Sequence, residues 1–223
     1  MSLGLRHRYS FSGSGVKVVD SMGTASGTVV NTQLNGSGKL TLAAATLAQY
    51  VDLPNGIISQ LGDATVEVWF TVSAAGGVWE RVFDFGSSDA GEGNQGLGAT
   101  YLFFSPKSNN SQIHGIIHTS STNGELLVSD ALTAVDKTVV VALVVDDSHD
   151  TLTLYKDGTF RSAVAFLGHL SEIQDVNNWL GRSQFKDPVF RGTIDELRIY
   201  GSALSASAIA KSFGAGPDAT INP

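Results

Sequence analysis

Apolar residues recur at every second position along most of this chain, and that periodicity excludes most folds. In Thr65-Val66-Glu67-Val68-Trp69-Phe70-Thr71-Val72, one face carries Val66, Val68, Phe70 and Val72, and the other Thr65, Glu67, Trp69 and Thr71. A side-chain period of two belongs to a β-strand with one face on a core. Similar runs fall at 5–12, 39–44, 78–85, 100–104 and 113–119. The run Thr138-Val139-Val140-Val141-Ala142-Leu143-Val144-Val145 is apolar on both faces, which predicts a central strand covered on both sides. Asp146-Asp147-Ser148-His149-Asp150 joins it to Thr151-Leu152-Thr153-Leu154-Tyr155, and Lys156-Asp157-Gly158 leads on to 159–164. Both connections read as hairpins, the second on an Asp-Gly pair suited to a tight turn.

Helical spacing is confined to two places. Ser205 is positioned to cap a helix over 205–213 that Gly214 stops, and Ser171-Glu172-Ile173-Gln174-Asp175-Val176 reads as one helical turn. Many short strands separated by turn signals predict an all-β fold, a two-sheet antiparallel β-sandwich of about 12 to 14 strands. There is no internal repeat. The sandwich is expected over 1–216, with a linker-like tail at 217–223.

Charge narrows the partners. A net charge of −7 argues against nucleic acid and anionic membrane surfaces, and Arg6-His7-Arg8 is too short a basic cluster to change that. No apolar run approaches the ~20 residues of a membrane span, so no membrane insertion is expected. The absence of cysteine excludes disulfides and thiolate metal sites. Only 16% of residues are charged, against roughly 25% in an average soluble domain, and Ser, Thr, Asn and Gly supply the polarity. Met1-Ser2-Leu3-Gly4 carries no signal-peptide pattern. The expectation is a monomeric domain excised from a longer secreted or cell-surface protein, with the signal peptide absent from this chain; a cytoplasmic protein is the alternative.

Several stretches together resemble the laminin-G-like jelly-roll domains of the concanavalin A-like lectin/glucanase superfamily. They are Tyr9-Ser10-Phe11-Ser12-Gly13, Asp20-Ser21-Met22-Gly23, Gly36-Ser37-Gly38-Lys39-Leu40, Gln49-Tyr50-Val51-Asp52-Leu53-Pro54 and the Trp-bearing strand at 65–70. The closing part is the most specific: Asn178-Trp179-Leu180-Gly181-Arg182, then Phe190-Arg191-Gly192-Thr193-Ile194-Asp195-Glu196-Leu197-Arg198-Ile199-Tyr200, then Ala203-Leu204-Ser205. The resemblance covers nearly the whole chain and implies the fold. It does not imply one function, because this architecture hosts lectins, glycosidases, adhesion modules and spacers.

Asp195 is the first residue to single out for chemistry. In an uninterrupted strand it shares a face with Thr193, Leu197 and Ile199, where an unpaired carboxylate is costly. The resemblance implies a structural calcium here, with carbonyl donors near Ser12 and Gly38 and further oxygens completing six to eight ligands. The alternatives are that Asp195 bonds amides or an arginine, or that a bulge turns it outward. Asp20 reads as an Asx-type turn bonding the amides of 21–23, with metal ligation as the alternative. The loop Ser87-Ser88-Asp89-Ala90-Gly91-Glu92-Gly93-Asn94-Gln95-Gly96 lacks EF-hand spacing and reads as a mobile solvent loop bordering a ligand site. His114 and His118 share a strand face about 13 Å apart, too far to share one metal.

Glycosidases of this superfamily place two carboxylates about 5 Å apart on one strand for retention. Here the strand-borne acids Glu67, Glu80, Asp84, Glu125, Asp195 and Glu196 are scattered. No catalytic residue is therefore expected, and no other catalytic motif is present. Sugar binding instead needs an aromatic platform beside fixed polar groups. Among Trp69, Trp79, Tyr101, Phe103, Phe104, Tyr155 and Trp179, most are needed for the core. Trp79, after a Gly-Gly pair and beside Glu80 and Arg81, and Tyr101, after the glycine loop, are the candidate ligand-binding residues. The expected function is non-catalytic recognition of carbohydrate or a glycosylated surface. A protein-interaction module, a polysaccharide hydrolase and a structural spacer are the alternatives.

Overall fold

The protein is described by a computed structural model covering residues 4–43 and 47–220. In chain order the strands are β1 (Leu5–Tyr9), β2 (Ser14–Gly15), β3 (Lys17–Val18), β4 (Gly27–Val30), β5 (Leu34–Asn35), β6 (Leu40–Leu42) and β7 (Tyr50–Leu53). The longer β8 (Ala64–Val72), β9 (Phe83–Ser88), β10 (Gly98–Ser105), β11 (Gln112–His118), β12 (Leu126–Ala131) and β13 (Thr138–Asp146) follow. The chain closes with β14 (Thr151–Lys156), β15 (Thr159–Ala165), β16 (Asn177–Leu180), β17 (Gly192–Tyr200) and one α-helix, α1 (Ala206–Ala215). The excess over the expected strand number comes from the two-residue strands β2, β3 and β5, too short to show alternation.

Two antiparallel sheets hold all but two of these strands, one ordered β1-β17-β8-β13-β14-β15 with β6 also on β17, the other β12-β11-β10-β9-β16-β7-β4-β3, and β2 pairs with β5 in a separate two-stranded ribbon. The core lies between them, where Val66, Val68 and Phe70 of β8 meet Phe83, Phe85 and Phe104 of the second sheet. Ring pairs such as Phe70–Phe104 at 5.5 Å make this a close-packed aromatic layer.

The two-sided apolar run lies where expected, between β8 and β14. Its residues Val139, Val141, Leu143 and Val145 enter the core, while Ala142 and Val144 pack with Leu204 and Ile209 beneath and beside α1. The helix is thus the second cover that the run demanded. Ser205 caps it, accepting from the Ala208 amide at 3.3 Å, but the stop is Gly216 at φ +82° and Gly214 lies within the helix. Gly214 needs no left-handed backbone, so it cannot terminate the helix as Gly216 does. The predicted turn near 171–176 is the short 3-10 turn Leu170–Glu172. At the β14–β15 hairpin Asp157 and Gly158 both have positive φ, the backbone a primed two-residue turn requires.

Under α1 the outer face of the first sheet is polar and buried. Arg198 sits 4.5 Å over the Trp69 ring and donates to Glu196 at 2.7 Å, to Ser212 at 3.2 Å and to the Pro217 carbonyl at 2.6 Å. Ser212 donates in turn to Glu67 at 2.8 Å, and Arg8 reaches Glu196 at 2.5 Å. Pro217, placed by sequence in a linker, is therefore fastened to the sandwich through its carbonyl. Positions 221–223 of that tail, like Met1-Ser2-Leu3 and the end of the 39–44 run, lie outside the described residues.

Candidate functional site

Period two gives the second sheet an outer face as well as a core face. With Phe83 and Phe85 inside, Asp84 points outward; with Leu102 and Phe104 inside, Tyr101 and Phe103 point outward. The pairing register aligns these residues across five strands. Asp52 lies opposite Trp179, Trp179 opposite Asp84, Asp84 opposite Phe103, and Phe103 opposite Ile116. One transverse row therefore carries a carboxylate between aromatic rings at the middle of the face.

Three loops close over this row. The segment 78–82, read from sequence as the start of a strand, is loop instead, and β9 begins only at Phe83. Trp79 has φ +61°, a left-handed conformation uncommon for a bulky residue, and its amide is fixed to the Lys107 carbonyl at 2.7 Å. Glu80 is drawn away from the face, accepting from the amides of Gly77 at 2.7 Å and Arg191 at 3.0 Å. These bonds keep 78–81 out of the ladder, which Val82 joins by donating to the Phe104 carbonyl at 3.0 Å and accepting from the Gly181 amide at 3.1 Å.

The second loop, 89–97, contradicts the expectation of mobility. Gln95 donates to the carbonyls of Ser183 at 3.0 Å and Phe185 at 2.6 Å, and the Gly96 amide bonds Gln184 at 2.9 Å. Gly93 bonds the Asn177 side chain at 2.7 Å, and Leu97 the Asp89 carboxylate at 2.6 Å. Side-chain and backbone bonds together tie this loop to the third one, between β16 and β17. None of its residues lines the pocket described below, which it reaches only through the loop that carries Phe185 and Asp187.

Arg81 is the hub between them. Its guanidinium lies 3.8 Å over the Phe103 ring, pairs with Asp187 at 2.9 Å, bonds the Trp79 carbonyl at 2.5 Å and approaches Asp84 at 3.6 Å. Asp84 is fully buried; Oδ2 accepts from the Gln184 amide at 2.9 Å and Oδ1 has no hydrogen-bond partner. Burial, opposed by Arg81, pushes the Asp84 carboxyl up to about 7. Tyr101 is also buried; it donates to Glu125 at 2.7 Å, and burial together with that carboxylate raises its phenol far above the usual range. Its ring packs on Phe103 and Phe185, both at 5.4 Å. Trp79 packs edge-on against His114 at 5.4 Å, and burial lowers the His114 pKa.

Between these groups is an open pocket of about 210 Å³ walled by Trp79, Arg81, Phe103, Glu125, Phe185 and Asp187. It can take a ligand with an apolar face and hydroxyl edges, because rings and fixed charged groups converge on one space. Of the two predicted ligand residues, Trp79 lines it and Tyr101 supports it from below. Phe185, Asp187 and Glu125 escaped the sequence reading as pocket residues; the first two lie in a loop without periodicity. The only clue was Arg81 beside Trp79. A cavity of about 250 Å³ over the other sheet, near Leu42, Thr71, Asp136 and Arg191, has no aromatic wall among the described residues.

The other sequence candidates lie elsewhere. Asp20 makes the expected turn, accepting from the Met22 amide at 3.0 Å and also from the Arg8 amide and the His7 ring. Glu67 and Glu196 are beneath α1. The pairing of β17 is interrupted by a bulge at Asp195. On that side β6 pairs with Gly192–Ile194 and β1 with residues from Leu197 on, so Asp195 faces the gap between the two strands. Its Oδ2 pairs with Lys39 at 3.0 Å, whereas Oδ1 is buried without a partner. Ser12 follows β1 and Gly38 precedes β6, and the Ser12 hydroxyl is within 3.1 Å of that of Ser10. One open carboxylate oxygen at a junction of chain ends suits a hard cation, with Lys39 as its competitor. Among the described residues no three or more Asp, Glu, His or Cys side chains cluster as a metal site.

The sequence profile of a laminin-G-type family, within the concanavalin A-like lectin/glucanases superfamily, matches residues 43–210. The chain belongs to that family. No curated protein matches the sequence. Solved structures share the concanavalin A-like fold at low identity. Domain 4 of AbnA, an extracellular arabinanase from Geobacillus stearothermophilus solved with arabinotriose, is 19% identical at a TM-score of 0.70, over 93% of this chain and 97% of that one. The Trypanosoma rangeli sialidase, solved with sialic acid, is 16% identical at 0.70 over 94% of this chain, which spans only 32% of the sialidase. The CBM40 domain of a Ruminococcus gnavus IT-sialidase, bound to α2,6 sialyllactose, is 15% identical at 0.55 over 73% of this chain and 95% of that one.

Proposed function

We propose that this domain is a non-catalytic carbohydrate-binding module that holds glycan in the pocket on the outer face of the second sheet. The observation that carries the reading is the pocket wall. Trp79 and Phe185 offer ring surface for a sugar's apolar face, while Arg81, Glu125 and Asp187 present charged edges for its hydroxyls. Every bond to Arg81 fixes that edge before ligand arrives, which lowers the entropic cost of binding. The fold relatives solved with arabinotriose and with sialyllactose support the reading. In it the domain is monomeric and serves an exported parent protein by attaching it to a polysaccharide or a glycosylated surface.

Affinity electrophoresis against a broad polysaccharide panel tests this. Retardation by at least one polymer class is expected, and Trp79→Ala is expected to reduce the affinity at least about fivefold, since one buried aromatic contact is worth about 1 kcal/mol or more. No retardation by any polymer would sink the reading.

The reading includes a structural calcium at the β1–β6 junction, held by Asp195 Oδ1 with the carbonyls near Ser12 and Gly38. It would fasten the chain ends and lie apart from the glycan pocket. Millimolar calcium is expected to raise the melting temperature relative to EDTA, and Asp195→Asn to abolish the difference. Equal melting in both buffers would remove the ion from the account.

A further inference from the structure

The glycan pocket does not end at Phe185. On the far side of that ring lies a second pocket of about 440 Å³, lined by Gln95, Gly96, Leu97 and Lys186 and sharing Phe185 and Asp187 with the first. The two are therefore successive parts of one groove, with the Phe185 ring as the step between them. The groove is also preformed: Gln95 and Gly96 bond the backbone of 183–185 on its two sides. Its charge is lopsided. Arg81 and Lys186 stand against Asp89, Glu125 and Asp187, and Arg81 is already committed to Asp187 and the Trp79 carbonyl. Among the described residues Lys186 is then the one cation of the lining outside these bonds, and an anionic chain would meet one more carboxylate than cations.

We infer that this groove selects a run of at least two consecutive units of a neutral glycan, laid across Phe185, over a single terminal residue or an acidic sugar. The inference rests on the carbohydrate-binding reading above. Isothermal titration on the full chain tests it with arabinose to arabinotetraose and glucose to cellotetraose as neutral series. Tetragalacturonate and sialyllactose serve as acidic probes. In the neutral series that binds, the trisaccharide is expected to bind at least about tenfold more tightly than the monosaccharide, and the acidic probes at least about tenfold more weakly than that trisaccharide. The double variant Leu97→Ala, Lys186→Ala alters two exposed side chains in the second pocket. It is expected to collapse the trisaccharide-to-monosaccharide ratio. A flat length series, an acidic probe as tight as the neutral trisaccharide, or an unchanged ratio in the double variant would overturn the inference while leaving a glycan-binding domain in place. Failure of every probe, together with a blank polysaccharide panel, would overturn both.

Discussion

Replacing Arg198 with alanine is expected to destabilise the fold by about 3–5 kcal/mol, the scale set by removing one partner of a buried ion pair. Arg198 is wholly buried, pairs with Glu196 on its own strand β17, and joins that strand to Ser212 and the carbonyls of Gly216 and Pro217. Without it Ser212 and the Gly216 carbonyl lose that donor, Glu196 and the Pro217 carbonyl keep only Arg8, and a void opens over Trp69. The α1 segment should then be the first part to open, since its seat consists of these bonds and a small apolar patch. Urea denaturation measures the loss. The paired change Glu196→Gln, Arg198→Met, which removes both charges, is expected to lose clearly less than Arg198→Ala alone. A loss below about 1 kcal/mol for Arg198→Ala would show that the network is not what holds the helix down.

Asp84→Asn is expected to act in the opposite direction, by an amount that grows as pH rises from about 4 to 7. The carboxyl begins near 3.8 in the unfolded chain and is raised to about 7 by burial in the folded protein. Between those values the unfolded chain has released the proton and the folded protein still holds it. Stability therefore falls as pH rises through that window, at up to about 1.4 kcal/mol per pH unit from this group. Burial raises Glu67 and Glu196 as well, and they contribute in the same sense. Asp20 opposes them: its own burial is outweighed by the His7 and backbone bonds that lower its pKa, so its contribution is lost toward acid. The asparagine isolates the Asp84 share. At about pH 4 and below the variant should match the parent, and at pH 8 it should be more stable by about 2–4 kcal/mol, read from denaturation curves across pH. Identical pH slopes, or an asparagine variant weaker at pH 8, would mean that the Arg81 pair outweighs the burial of the carboxylate.

The same alternation that predicted the sandwich also places the site. With Phe83 and Phe85 in the core, Asp84 has to face outward, and Leu102 and Phe104 do the same for Phe103. The double-faced run at β13 foretold a cover on both sides and found it in α1. The alternation misled at 78–82, where pairwise spacing was present but Glu80 and the Trp79 amide took partners outside any ladder. Pocket-forming loops were less legible still. The bond from Gln95 to Phe185 joins residues 90 positions apart, and nothing in the glycine-rich stretch 91–96 signals that it is tied down. Phe185 and Asp187 acquire meaning only when β16 and β17 bring their loop over Arg81. Periodicity determines which face a strand residue takes, whereas a loop residue's place depends on distant partners that periodicity cannot carry.

The most direct test of the glycan-binding pocket uses the chain's three tryptophans, which stand in three different settings. Trp69 lies beneath Arg198 under the helix, Trp179 is buried with its indole N–H on Asp52 at 3.0 Å, and Trp79 walls the pocket. Nitrogen-15 NMR resolves one indole N–H signal for each, and a neutral oligosaccharide taken from whichever polymer retards the protein serves as titrant. A dose-dependent shift of the Trp79 signal, with Trp69 stationary, is the predicted result. A ligand that binds while the Trp79 signal stays still, or that moves Trp69 instead, would place the binding site elsewhere on the molecule.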